Sequence, residues 1–287
     1  MRWIPFVLAL LATPALAQQV SDPDADVSVA APAYAVGGGP VIAIDAGHEN
    51  FHTVDGRYAP TSAVARADGY RVVSLDAPPT AENLKAVKIL VVANALTPFT
   101  ATETETIHAW VEAGGSLLLI ADHMPFGAAA DSLAKAFSFR FEDGFAADPV
   151  RGPEVFSKAN GRLLDSPIAR GDAKGKPVNQ ILSFTGTVLH APAGATPLLR
   201  LGTGWSILYP KEAWKFDETT PTRPSTEADL RGAAMAVGKG RIALFSEAAM
   251  FSAQRANNGG KAGFNAPGAE QNKQFLLNVL QWLSRAG

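Results

Sequence analysis

The chain has no cysteine. Disulfides are therefore excluded, and so is every thiol mechanism, which leaves core burial to supply stability; a chain of 287 residues is long enough for that. Nor is either charge in excess: 25 Lys and Arg stand against 27 Asp and Glu, a formal net charge of -2. With no Lys/Arg cluster interleaved with aromatics, nucleic acid is not an expected partner. Past the first residues no apolar stretch approaches the ~20 residues that a membrane-spanning helix needs, so no transmembrane segment is expected in the mature chain. No G-x-S-x-G elbow occurs, which disfavours an ordinary serine hydrolase of that kind. Gly37-Gly38-Gly39 precedes the first strand instead of following it, so it cannot cradle a phosphate at a helix N-terminus.

What is present begins with MRWIPFVLALLATPALAQQ: Arg2, an apolar run from Trp3 to Ala12, then Ala15-Leu16-Ala17 before Gln18. Charged start, apolar middle and small-residue end follow the order of a cleaved signal peptide, residues 1–17. The mature chain is expected to start at about Gln18 and to be periplasmic or secreted. Residues 18–39 lack helical or strand periodicity and read as a flexible lead-in.

From Pro40 onward short apolar runs alternate with helical patterns. VIAID (41–45), YRVVSL (70–75), KILVVAN (88–94) and SLLLIAD (116–122) have the make-up of buried strands. One crossover helix is predicted in detail: Thr100-Ala101-Thr102-Glu103 is a capping box, Ile107, Trp110 and Val111 share a face, and Gly114-Gly115 ends it. Further helices are predicted from Ala128 to Phe137 and on the stripe Phe275, Leu276, Val279, Leu280 and Leu283. Residues 149–231 loosen into short strands, QILSF, TVLHAP, TPLLRLG and WSILYP, and read as an elaboration on the sheet. AAMAV and RIALFSE around Gly238-Lys239-Gly240 read as a hairpin whose second strand rejoins that sheet. The expectation is one α/β domain over 40–287, a mostly parallel flavodoxin-like sheet flanked by helices with a β-rich insertion.

In such sheets ligands bind beyond the carboxyl ends of the strands. VIAID runs into Asp45, His48, Glu49, Asn50 and His52; KILVVAN ends at Asn94; SLLLIAD runs into Asp122-His123; RIALFSE runs into Ser246-Glu247, with Gln254 further on. Three of the five histidines thus fall just after strand ends that should share one edge. His48, Asp122, His123 and Glu247 are the candidate catalytic residues, and Asn50, His52, Asn94 and Gln254 the candidate ligand contacts. The pattern leaves open whether the pocket holds a divalent metal, whose ligands would be His48, His52 and His123. His48-Glu49-Asn50-Phe51-His52 spells H-E-x-x-H, yet it follows a strand by three residues and precedes Val54-Asp55-Gly56. The long helix of a zinc peptidase does not fit there. His108 and His190 read as structural or surface residues.

DAGHENFHTVDGRYAP, WVEAGGSLLLIADHMPFG and GKGRIALFSEAAMFSAQ resemble segments of the DUF4350 proteins. Those belong to the class I glutamine amidotransferase-like superfamily, alongside ThuA-like and gliding-motility or intraflagellar-transport related domains. The resemblance implies the same sheet and a pocket at its strand ends. It also implies that Asp122-His123 stand where amidotransferases carry a cysteine nucleophile, and that Glu247 sits near their supporting glutamate with no histidine before it. Amidotransferase chemistry is thereby excluded. A first family motif of the form His-x-Asn-x-His puts weight on His48, Asn50 and His52. Two functions remain open: a hydrolase or lyase of a small polar or sugar-derived substrate, by analogy with ThuA-like relatives, or a non-catalytic carbohydrate-binding or envelope-interaction protein. In the first, Asp122 or Glu247 would be the base and His48 or His123 the acid or electrophilic stabiliser. In the second, Phe51, Phe126 and Phe251 would help hold a glycan.

Overall fold

The computed structural model describes residues 19–147, 154–256 and 259–285; the expected leader lies outside the described residues. Five parallel strands form the centre: β1 (Val41–Asp45), β2 (Arg71–Leu75), β3 (Ile89–Ala93), β4 (Ser116–Ile120) and, after the elaboration and the antiparallel β5 (Leu230–Val237), β6 (Gly240–Phe245). Their order is β2-β1-β3-β4-β6, with β5 beside β6 as a hairpin partner. This is the strand order of a flavodoxin-like doubly wound sheet, whose direction of winding reverses between β1 and β3. Leu189–His190, Arg140–Phe141 and Thr196–Arg200 extend the antiparallel side, so the whole sheet is mixed.

Both faces of the sheet are covered, which is why its strands are almost continuously apolar. On one side Ile42, Ile44, Val91, Leu118 and Phe245 meet Val64 of α1 (Ala59–Ala67) and Phe275, Leu276 and Leu280 of α4 (Asn272–Leu283). On the other, Ala43, Leu90, Val92, Leu117 and Leu119 meet Ile107 and Val111 of α2 (Ala101–Glu112) and Leu133 of α3 (Phe126–Ala136). Helix α2 starts as its capping box predicts: Thr100 Oγ1 accepts from the Glu103 N–H at 3.3 Å and Glu103 Oε2 accepts from the Thr100 N–H at 2.7 Å. Among the described residues no helix is long and apolar enough to cross a membrane.

The four short strands expected within 149–231 are present, as Gln180–Ser183, Leu189–His190, Thr196–Arg200 and Ser206–Leu208. The first residues of that stretch lie outside the described ones. Arg231 joins the stretch to the sheet: fully buried, it makes a two-pronged ion pair with buried Glu154 at 2.5 and 2.6 Å and donates to the Thr187 carbonyl.

The lead-in is corrected. Instead of hanging free, it lies along the domain as a strap. Val20–Ser21 pairs antiparallel with Ala253–Arg255, Asp22 accepts from Asn265 at 2.8 Å, and Lys273 pairs with Asp26 at 2.8 Å. Asp68 accepts from the Ala33 N–H at 2.7 Å, and Tyr34 sets its ring edge-on to Tyr70. Gly69, at φ +93°, passes so close to the Tyr34 carbonyl that no side chain would fit. The strap's partners are long-range backbone and side-chain groups, which leave no periodicity in its own sequence.

Candidate functional site

A cleft of about 580 Å³ opens at the carboxyl edge of the sheet, where β1, β3 and β4 deliver their loops. Its floor is polar. Asn94, immediately after β3, adopts a left-handed backbone (φ 51°) and its Oδ1 accepts from the Asp122 N–H at 2.9 Å. Such a conformation in a residue other than glycine costs about 1 kcal/mol or more and persists where surrounding contacts enforce it. Asp122 follows β4 and is 6% exposed; one carboxylate oxygen accepts from the His123 N–H at 2.8 Å and from the Thr185 hydroxyl at 3.2 Å. His123 Nδ1 lies 2.7 Å from the Met124 carbonyl, which can only accept, so Nδ1 carries a proton.

The loop after β1 supplies the second wall. His52 is buried, edge-on to Tyr58, with Gln254 Nε2 3.3 Å from its Nε2. Burial, with Arg57 and His123 adding like charge, pushes its pKa down to about 3, so the ring is neutral. Arg57 leans over the Phe51 ring and donates through Nε to the Gln19 carbonyl at 3.0 Å. Burial lowers its pKa and the nearby Asp122 counteracts this. The mouth is aromatic: His123 stacks on Phe145 at 4.5 Å and meets Trp214 edge-on at 4.6 Å, while Phe51 meets Phe126 at 5.6 Å. Phe51 and Trp214, 45% and 42% exposed, are large apolar faces left open in the lining of the cleft.

The structure thus brings together Asn94, Asp122, His123, His52 and Gln254. Three other candidates stand elsewhere. His48 is buried behind the cleft, with Nδ1 2.9 Å from Asp45, Nε2 3.4 Å from Glu103 and its ring stacked on Phe99. Burial opposes its charge, but the two carboxylates raise its pKa above the ordinary value. Asn50 ties the same loop together, accepting from the His48 N–H at 3.1 Å and reaching the Ala93 carbonyl at 3.4 Å. Glu247 is wholly buried and spends both oxygens on the N–H groups of Ala249 and Met250, at 2.6 and 2.9 Å, so it holds the turn beside the cleft and faces no ligand. Burial and the charge of Asp122 push its pKa well above the carboxylate range. Phe251 is a core residue packed on Phe245 and Phe275.

The metal set His48, His52 and His123 does not converge, because Asp45 and Glu103 hold His48 away from the cleft. Among the described residues the His/carboxylate group with ligand spacing is Glu142, His190 and Asp229. There the Arg223 guanidinium already bridges the acids, 2.7 Å from Glu142 and 2.8 Å from Asp229. Burial alone would raise Glu142; hydrogen bonds from His190, Arg223 and Tyr209 hold it at about 2. This charge set is satisfied by a cation of the chain itself and does not suit a metal ion. His190 takes part in this set through Nε2, 2.6 Å from Glu142.

Arg57, Thr185, Trp214 and Gln19 were not foreseen as part of the site. Arg57 stands in the quoted segment DAGHENFHTVDGRYAP, and Trp214 is one of two aromatics, with Phe216, in the polar run KEAWKFDETT, a signal that could have singled it out. Gln19 and Thr185 carry no such mark.

No family model matches the chain, and no curated protein matches it. Among solved structures, the mmIFT52 N-terminal domain is similar with a TM-score of 0.62 at 16% identity, over 85% of this chain and 97% of that one. A cytoplasmic protein from Salmonella typhimurium LT2 is similar at 0.52 and 14% identity, over 86% of this chain and 100% of that one. A ThuA-like protein from Bacteroides uniformis ATCC 8492 aligns at 0.47 and 12% identity, over 89% and 93%. The first two show that the fold is shared.

Proposed function

We propose that the cleft binds a small polyhydroxylated, sugar-derived ligand and acts on it by proton transfer, as an exported hydrolase or lyase built on an amidotransferase-like sheet. The observation that carries this reading is the pairing of a polar floor, Asn94, Asp122 and His52, with open aromatic faces at Phe51 and Trp214. Carbohydrates present hydroxyls at their edges and C–H groups on their faces, and a cleft of this make-up meets both. Asp122 is the base for a hydroxyl or an attacking water. His123 is the acid in its protonated form, since the Met124 carbonyl supports Nδ1–H of the imidazolium while Nε2 delivers its proton to the leaving oxygen. Glu247 and His48 have no part in the chemistry.

The test is a panel of mono- and disaccharides and their derivatives, followed by calorimetry and by product analysis. Binding lost in Trp214→Ala, with turnover lost but binding kept in Asp122→Asn, is the expected result; no binding by any sugar would sink the reading. A second reading, binding without catalysis, is favoured by the engagement of one Asp122 oxygen with two donors. It predicts binding with no product. Export is tested by sequencing the N-terminus of the protein recovered from the periplasm or medium, which should start near Gln18.

A further inference from the structure

Of all the described residues lining the cleft, Arg57 and Asp122 alone carry a fixed charge. They interact across it without forming an ion pair: Asp122 is taken up by His123 and Thr185, and Arg57 reaches only the Gln19 carbonyl, through Nε. Its two terminal nitrogens, with four N–H groups, have no partner among the described residues. An arginine usually satisfies that planar fork with a carboxylate or phosphate, bidentately, and does so most strongly where water is partly excluded. Here Arg57 is half-buried and its guanidinium is held by two contacts, the Gln19 carbonyl at Nε and the Phe51 ring 5.1 Å from Cζ.

We propose that this fork is a carboxylate subsite, and that the ligand is an acidic sugar of the uronate type. Its carboxylate lies on Arg57, a ring hydroxyl donates to Asp122, and the ring face rests against Trp214. A phosphate monoester suits the subsite less well, because its second negative charge would face Asp122 across the cleft. The proposal rests on the sugar-binding reading above and narrows it to one class.

The experiment compares matched pairs, D-glucuronate with D-glucose and D-galacturonate with D-galactose, together with the methyl esters of both acids, by calorimetry on the full mature chain at low and moderate salt. The acids are expected to bind at least about tenfold more tightly than their neutral partners, the equivalent of one charge-assisted contact. That preference should shrink with salt, vanish in Arg57→Gln and survive in part in Arg57→Lys; melting curves identify any variant that fails to fold, and Arg57→Lys then carries the comparison. Neutral sugars binding as tightly as the acids would overturn the carboxylate subsite and leave the sugar-binding reading standing. Binding of neither class would overturn both. A preference for the acids unchanged in Arg57→Gln and Arg57→Lys would place the subsite elsewhere and refute the assignment.

Discussion

His48 shows how one side chain can carry the marks of a catalytic residue and serve the fold instead. It follows a strand end, stands beside polar neighbours and is buried, yet its two nitrogens are spent on Asp45 and Glu103, which clamps the β1 loop to the start of α2. His48→Ala is expected to cost about 2 kcal/mol of stability, as the loss of charge-assisted hydrogen bonds from a buried site does. The variant should still bind ligand well below its melting temperature. The pH dependence has a definite sign. The folded-state pKa lies above the ordinary 6.5, so the clamp's contribution is complete below that value and is lost as pH rises through the folded-state pKa. Urea melts from pH 6 to 9 should show the wild type losing this increment while His48→Ala does not. An increment that appears in both, or in neither, would mean that the clamp is not linked to protonation. Asp122 and His123 have the same kind of sequence signature, and what separates them from His48 is whether a partner waits behind the strand end. That information is three-dimensional.

Among the elements, the parallel strands and α2 are legible because their signals are local: runs of β-branched and aliphatic residues, a capping box, a Gly-Gly stop. Helix α1 is not, since APTSAVARA has Pro60, Thr61 and Ser62 in its first turn and no apolar stripe; those three are nonetheless buried against the core, and Thr61 donates to the Phe251 carbonyl at 2.9 Å. The short strands of the elaboration are legible one by one, while their attachment to the sheet is not, because it is long-range: Leu189–His190 and Thr196–Arg200 pair with β5, and Arg231 of β5 reaches Glu154, 77 residues away. Removing one member of a buried ion pair strands the other: Arg231→Ala is expected to cost about 3–5 kcal/mol. Glu154 makes the point sharper, for burial raises its pKa even with Arg231 beside it. Replacing both, Arg231→Met with Glu154→Leu, should therefore recover most of the loss in chemical denaturation. A double variant as unstable as the single one would show that the Thr187 and Ser246 carbonyls, left without the guanidinium, carry the cost instead.

At the scale of the whole molecule, the cleft's position follows from the winding of the sheet, so its general location is readable from strand order alone. What closes it is not. The strap brings Gln19 to Arg57 and pairs Ser21 with Gln254, so a segment without any sequence pattern touches two residues of the site. This makes the strap a support for the ligand contacts as well as for the fold. Deleting residues 19–26 removes a strand pairing, the Asp22–Asn265 hydrogen bond and the Asp26–Lys273 ion pair, all at the periphery of a sheet that keeps both its faces covered. The domain should therefore stay folded and lose roughly 5 °C in Tm, the shift of about 2 kcal/mol in a domain of this size. Its affinity for the cleft ligand should fall further than that of an Asp26→Ala control, because only the deletion frees Arg57 from the Gln19 carbonyl and Gln254 from its paired strand. Equal affinities in the deletion and the control would show that the strap stabilises the fold without shaping the site.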